Sequence, residues 1–331
     1  MPSVLVGPYL LRGKDGGFRR ILSEAGFQVI DPEGDFSLTA DQLSPHLANL
    51  DALLAGGERM TPAMFDLAPK LRVVARTGVG YDLIDVAAAT ARNVAVSITP
   101  GTNQGSVAEQ TLALILALAR RIVHNNQVIH EGGWDRALVE PIRGKTLGLV
   151  GMGRIGKATA IRARAFEMKV VAFDHLDDPE FDTQYQITRL TLDELIAESD
   201  YVSLHLPLVP SSRGMVDRHF LEKMKPGSFL VNTARGGLVV EADLADALTS
   251  GRIAGAGLDV LVNEPPRADC PLLGLPNVIL SPHIAGTDLE SMSAMAEMAA
   301  RTIVDLYRNR WPSGCIVNPE VGKEWRWGPM A

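Results

Sequence analysis

Thr146-Leu-Gly-Leu-Val150, followed without a gap by Gly151-Met-Gly153-Arg154-Ile155-Gly156 and then by the helical stretch Lys157 to Phe166, decides the fold. A short apolar run bounded by glycine predicts a buried strand, and the run after it predicts a helix. Three glycines at this spacing each have a reason. Gly151 permits the tight turn, Gly153 lets backbone approach a pyrophosphate, and Gly156 lets helix and strand pack closely, with the phosphates at the positive end of the helix. The context lifts the motif above a bare pattern match. Arg154 and Ile155 lie in the same turn and belong to the expected cofactor contacts. The next strand, Val170-Val-Ala-Phe, runs into Asp174, 18 residues past Gly156, where an acid accepts from ribose hydroxyls. NAD is the expected cofactor. A 2′-phosphate would meet Asp174, Asp177 and Asp178, with no Arg or Lys directly following.

Outward from this motif the pattern repeats. Apolar runs continue at Lys169–Phe173, Asp200–Leu204, Ser228–Val231, Ala254–Leu258 and Val278–Leu280, alternating with helical segments. Upstream, Ser3–Val6, Asp51–Ala55, Arg72–Ala75 and Asn93–Ile98 form a similar series. Alternation of this kind predicts α/β architecture with two doubly wound parallel sheets. Thr61 followed by Pro62 predicts a helix start, with Thr as cap and Pro at the first helical position. The pattern breaks at Thr99-Pro-Gly-Thr102, which predicts a hinge, and a long apolar helix follows from about Asn103 to Arg120. Thr287-Asp-Leu-Glu290 predicts a capping box opening a helix to about Arg308. If that helix returns to the first sheet, residues 1–99 plus 287–331 form a discontinuous substrate domain and residues 100–286 the NAD-binding domain. Ligands of paired domains gather in the cleft between them.

Composition excludes several classes of function. With 331 residues, 46% hydrophobic, the chain can bury a substantial core. A net charge of −7 offers no excess of cations for a phosphate backbone, so nucleic acid is not an expected partner. The apolar stretch Leu112–Ala119 is far shorter than the roughly 20 residues that span a bilayer, so no membrane partner is expected. The N-terminus lacks a basic region, and Cys270 and Cys315 form neither a disulfide framework nor a metal site. These features predict a cytoplasmic protein without a metal.

Ligands of open α/β sheets collect beyond the carboxyl ends of strands. Arg235, Asp259 and His283 each follow a predicted strand, and so converge on one edge. With their surroundings, Asn232-Thr-Ala-Arg-Gly-Gly237, Asn263-Glu-Pro-Pro266 and Ser281-Pro-His-Ile-Ala-Gly286, together with the glycine motif, they resemble the signatures of the D-2-hydroxyacid dehydrogenases. The likeness runs from about residue 3 to 318. Arg76-Thr-Gly-Val-Gly-Tyr-Asp82 and Asn103-Gln-Gly-Ser-Val-Ala-Glu109 are most similar to the phosphoglycerate dehydrogenase-like branch.

The resemblance implies a flavodoxin-like substrate domain, a Rossmann NAD-binding domain, and hydride transfer between nicotinamide and C2 of a D-2-hydroxy or 2-keto acid. It implies a catalytic set of Arg235, Glu264 and His283. His283 would exchange the hydroxyl proton, Glu264 would hydrogen-bond His283 and raise its pKa, and Arg235 would take the substrate carboxylate in a bidentate grip. Backbone N–H groups at Val79 and Gly80 would take another carboxylate oxygen. Asp259 would accept from the nicotinamide carboxamide, while His205, Pro207, Thr233 and Ala234 would line the cofactor; His205 by itself reads as a packed histidine.

The first-domain loops near Leu11, Gly57 and Gly78 read the rest of the acid, and Leu83 replaces the Asn of many relatives. A phosphorylated substrate needs cations, for which Arg12, Lys14, Arg59 and Arg76 are candidates, although solvated surface charge is the commoner reading of each. The expected substrate is 3-phosphoglycerate or a hydroxypyruvate-type acid, with glyoxylate/hydroxypyruvate reduction as the alternative. The short C-terminus carries no serine-binding domain, so serine feedback is not expected. An NAD-sensing corepressor is the alternative of another class, and formate dehydrogenase fits poorly because that relative has Gln where Glu264 stands. The apolar helices between Gln104 and Ile129 predict a homodimer. For Trp325 and Trp327, either contact with another subunit or a flexible tail is compatible with the sequence.

Overall fold

The computed structural model describes residues 1–327 apart from Asp35 and Glu324. Among the described residues, twelve strands form two parallel sheets. The first contains β1 (Ser3–Val6), β2 (Gln28–Ile30), β3 (Ala52–Ala55), β4 (Val73–Arg76) and β5 (Ala95–Ser97) in the order β2-β1-β3-β4-β5. The second contains β6 (Thr146–Val150), β7 (Lys169–Phe173), β8 (Ile187–Arg189), β9 (Tyr201–Leu204), β10 (Phe229–Asn232), β11 (Gly255–Leu258) and β12 (Val278–Leu280), in the order β12-β11-β10-β9-β6-β7-β8. Both are doubly wound. The first order is that of flavodoxin-like sheets and the second an extended dinucleotide-binding sheet, with the reversal between β6 and β9. All pairings in both sheets are parallel.

Helices α1 (Gly17–Glu24), α2 (Ala40–Leu47), α3 (Pro62–Asp66) and α4 (Val86–Ala91) connect the first sheet. Helices α5 (Gln104–Ala119), α6 (Ile122–His130), α7 (Arg154–Ala165), α8 (Pro179–Tyr185), α9 (Leu192–Glu198), α10 (Arg218–Lys223) and α11 (Glu241–Thr249) accompany the second, and α12 (Leu289–Tyr307) follows it. The chain divides into two compact units, 1–103 with 287–331, and 104–286. Residue pattern explains why α12 belongs to the first unit. Ala296, Ala299, Ala300 and Ile303 are fully buried at helical spacing against Val4, Val6 and Ala52, and the small alanines let the helix lie close to the sheet. In the second unit, α5 buries Leu112, Leu114, Ile115 and Leu118 together with Leu147, Leu149 and Val231.

The structure corrects three details. Thr287 does not cap α12. Asp288 does, accepting from the Ser291 N–H at 2.7 Å and the Ser291 hydroxyl at 3.0 Å, so the helix starts one residue later than the capping-box pattern predicts. Asp and Thr are comparable caps, and the extra hydroxyl of Ser291 favours the carboxylate with two acceptors. Strands β2 and β8 have no counterpart among the predicted runs: each has three residues at a sheet edge, where a continuous apolar signal is not required. The aromatic tail is packed: Trp327 lies edge-on to Phe27 and Tyr307, and Trp325 is buried beside Trp311. Among the described residues no helix is long and apolar enough to cross a membrane.

Candidate active site

The glycine turn has the shape a pyrophosphate requires. Gly151 adopts φ 106°, and a Cβ there would lie 2.6 Å from the His205 carbonyl oxygen. A side chain at Gly156 would overlap the Gly151 carbonyl, which is the close helix–strand approach. Gly153 is different, because a Cβ would meet nothing within 4 Å. No internal packing demands glycine at the N-cap of α7, so this open space is what a ligand phosphate over the helix N-terminus would use. Asp174 follows β7. Its two oxygens accept from the Met152 N–H at 2.6 Å and the Leu176 N–H at 3.0 Å, tying the ribose-side loop to the glycine turn. Burial pushes this carboxyl upward, yet hydrogen bonds from Met152, Leu176 and His175 hold it below the usual range. It stays charged, with lone pairs left for hydroxyl donors.

Three loops at the carboxyl ends of β10, β11 and β12 carry the polar set. The Asn232 side chain folds the loop bearing Arg235, donating to the Arg235 carbonyl at 2.8 Å and accepting from the Ala234 N–H at 3.0 Å. Gly236 meshes this loop with the next, since a Cβ there would overlap the Leu261 backbone. Glu264 Oε1 accepts from the Leu261 N–H at 3.0 Å, and Oε2 lies 2.6 Å from His283 Nδ1. Burial raises the Glu264 carboxyl, but His283, the Leu261 N–H and the charge of Arg235 lower it below the ordinary value. Glu264 is therefore an ionised partner fixed on one imidazole nitrogen, leaving Nε2 as the nitrogen that can exchange a proton.

His283 sits in the left-handed region, φ 55°. Asp259 holds it there. The Asp259 carbonyl accepts the His283 N–H at 2.8 Å, and its buried carboxylate accepts from the Ser281 hydroxyl (2.6 Å), Ile284 N–H (3.0 Å) and Ala285 N–H (2.9 Å). Helix α5 buttresses the same turn through Gln110 to Ser281 (3.0 Å) and Ser106 to the Ala285 carbonyl (2.7 Å). Sequence reading missed Gln110 and Ser106 as site residues; Ser106 lies inside the segment 103–109 and Gln110 directly after it, which is their only signal. Thr233, expected beside the cofactor, shares a buried hydroxyl contact of 2.9 Å with Thr111.

Residues 112–285 match the profile of the family described as "D-isomer specific 2-hydroxyacid dehydrogenase, NAD binding domain". The chain belongs to this family. As a family member this dehydrogenase is an NAD-dependent oxidoreductase acting on a 2-hydroxy or 2-keto acid. It is 39% identical over 318 residues to a glyoxylate reductase of Korarchaeum cryptofilum, covering 92% of this chain and 96% of that protein. It is 43% identical over 294 residues to D-3-phosphoglycerate dehydrogenase of Mycobacterium tuberculosis, covering 85% of this chain but 55% of that protein. Among solved structures, the TT0316 protein of Thermus thermophilus superposes with a TM-score of 0.86 at 37% identity, covering 95% of this chain and 99% of that one.

Other expected positions of the dehydrogenase fall as follows. His205 follows β9, its Nε2 3.0 Å from the Ser203 hydroxyl and its Nδ1 buried without a partner among the described residues. The residue is partly exposed while its Nδ1 is buried, and burial pushes the pKa down to about 4. Pro207 is exposed, and its carbonyl accepts from Ser212 at 2.7 Å. Ala234 is partly buried. In the first unit, Gly78 has φ 142° and is pinned by Thr99, whose hydroxyl accepts its N–H at 2.9 Å. Arg76 Nε donates to the Gly80 carbonyl at 2.7 Å, shaping the loop in which the Val79 and Gly80 N–H groups donate to no backbone acceptor among the described residues. Arg12 is committed to structure: it donates to the carbonyls of Gly7 (2.9 Å), Gly34 (2.8 Å) and Phe36 (2.9 Å) and lies 3.8 Å from fully buried Glu58. Lys14 and Arg59 are exposed.

Proposed function

We propose that this dehydrogenase reduces short, unphosphorylated 2-keto acids of the glyoxylate and hydroxypyruvate type, and oxidises the matching D-2-hydroxy acids in reverse. The observation that carries the chemistry is the 2.6 Å bond between His283 and Glu264 at the strand ends that also present Arg235. NADH supplies the hydride that arrives at C2. Arg235 binds and orients the carboxylate, and His283 Nε2–H protonates the oxygen on C2 as it gains charge. Within the first unit, the Val79 and Gly80 N–H groups are further candidates for a substrate oxygen. Glu264 keeps the imidazole oriented through Nδ1, and in the reverse direction the ring is the base. The turn around Gly151, Gly153, Arg154, Ile155 and Gly156, with Asp174, would hold the pyrophosphate and ribose, while His205, Pro207, Thr233, Ala234 and Asp259 would line the remainder.

The engagement of Arg12 moves the preference away from 3-phosphoglycerate, the expected first choice from sequence. A guanidinium holding three carbonyls and facing Glu58 is not available to a phosphate. NADH oxidation is to be followed with glyoxylate, hydroxypyruvate, pyruvate and phosphohydroxypyruvate. The highest kcat/KM is expected for glyoxylate or hydroxypyruvate, and a preference for phosphohydroxypyruvate overturns the substrate reading.

The homodimer is proposed through α6 in place of α5. The apolar residues of α5 are used in the core, whereas α6 buries none of its own, and Ile122, Val123 and Ile129 are each more than half exposed. Trp134 and Leu138, farther along the same segment, are 79% and fully exposed, further apolar side chains open to a second copy. A cytoplasmic location, expected from the same sequence features, remains part of this proposal.

A further inference from the structure

Two cations sit beside the ribose-side loop, and both are held by carboxylates. Arg189, on edge strand β8, makes a two-pronged pair with Asp182, Nε to Oδ2 at 2.8 Å and a terminal nitrogen to Oδ1 at 3.1 Å. Its other terminal nitrogen donates to the Leu176 carbonyl at 3.3 Å, in the loop whose Leu176 N–H binds Asp174. Lys157, on the first turns of α7, is paired with Asp178. Sequence spacing does not reveal either cation as a neighbour of Asp174, because Arg189 arrives from a three-residue strand 15 residues downstream. With Asp182, Arg189 lines an open groove of about 610 Å³ beside that loop.

We infer that NAD selectivity is set in two layers, Asp174 repelling a 2′-phosphate and Asp182 withholding Arg189 from it. An NADP-type cofactor differs from NAD by one dianionic phosphate on the adenosine ribose, and a guanidinium is the side chain best matched to it. Here that guanidinium lies within one loop of the ribose-binding acid, with both prongs of its fork turned to Asp182. The Asp182 side chain is 13% exposed and that of Arg189 22%, so solvent does not screen the pair away. Asp182 is therefore a specificity-determining residue that need not touch the cofactor. Removing Asp174 alone abolishes the direct repulsion but leaves Arg189 engaged. Neutralising Asp182 as well frees a cation for the phosphate. This rests on the assignment of Asp174 to the ribose.

The experiment measures dissociation constants of NADH and NADPH by quenching of protein fluorescence, for Asp174→Ser, Asp182→Asn, the double variant, and the double variant with Arg189→Ala. The ratio of the two constants corrects for any general weakening, and thermal melts verify folding. The double variant is expected to shift the ratio toward NADPH by at least about tenfold beyond Asp174→Ser, and Arg189→Ala is expected to erase that gain. Equal ratios for Asp174→Ser and the double variant, or a gain that survives Arg189→Ala, overturn the two-layer inference. A failure of Asp174→Ser itself to move the ratio is a different result, which removes Asp174 from the ribose. Asp182→Asn can be replaced by Asp182→Ser if the amide refolds the pair, with the same expected ratio.

Discussion

His205 shows how one residue acquires a meaning that its identity does not carry. A histidine at the end of a strand in a nucleotide-binding sheet suggests acid–base chemistry, but its Nδ1 is sealed and burial pushes its pKa down to about 4. It is neutral at neutral pH. Unfolded, the same ring titrates near the ordinary value of about 6.5, so between these limits the unfolded chain binds the extra proton. Stability therefore rises with pH from about 4 to about 6.5, by about 3 kcal/mol at most from this group. Replacing His205 with Asn is expected to flatten that part of the melting temperature against pH, as scanning calorimetry can record; an unchanged slope would show that the folded ring takes up its proton as readily as the unfolded one. His283 lies at the other extreme, partly exposed, in a left-handed backbone conformation and bonded to an ionised Glu264. Motif and strand end pointed to it in the sequence, along with Arg235 and Glu264, and of that expectation the structure shows the contact between Glu264 and His283. The supporting bonds from Asp259, Ser281, Gln110 and Ser106 were not legible, because they join residues up to 179 positions apart.

Elements with strong periodicity or bounded apolar runs were predicted with little error. The β6 to α7 turn is an example, and its glycines are tied to backbone geometry. Gly151→Ala is expected to cost about 1–3 kcal/mol of stability, since alanine at φ 106° is strained and its Cβ would press on the His205 carbonyl. It should also weaken NADH binding in a fluorescence titration. Wild-type affinity and melting temperature in Gly151→Ala would show that the turn accommodates a side chain. Edge strands β2 and β8 were illegible because three residues with partial exposure carry no clear apolar pattern. The start of α12 was misplaced by one residue because Thr287 and Asp288 are both good caps, and only the position of Ser291 decides between them.

At the scale of the whole molecule, chain order and spatial membership part company. Helix α12 follows the second sheet yet buries its alanine stripe on the first, so the unit nearest the N-terminus is completed last. That discontinuity was legible from the final helical pattern. The free face of α6 was not, because apolar composition alone does not separate a core helix from an interface. Ile122→Asp with Ile129→Asp is expected to convert a dimer to a monomer in light scattering behind gel filtration; an unaltered mass would move the interface elsewhere. The account turns on proton transfer by His283 next to a hydride acceptor. Its most direct test is the steady-state turnover of His283→Ala with glyoxylate and NADH, alongside NADH affinity. A fall in kcat of about 100- to 10,000-fold with NADH affinity held within about twofold is the expected result. Turnover within about tenfold of the parent protein would contradict it.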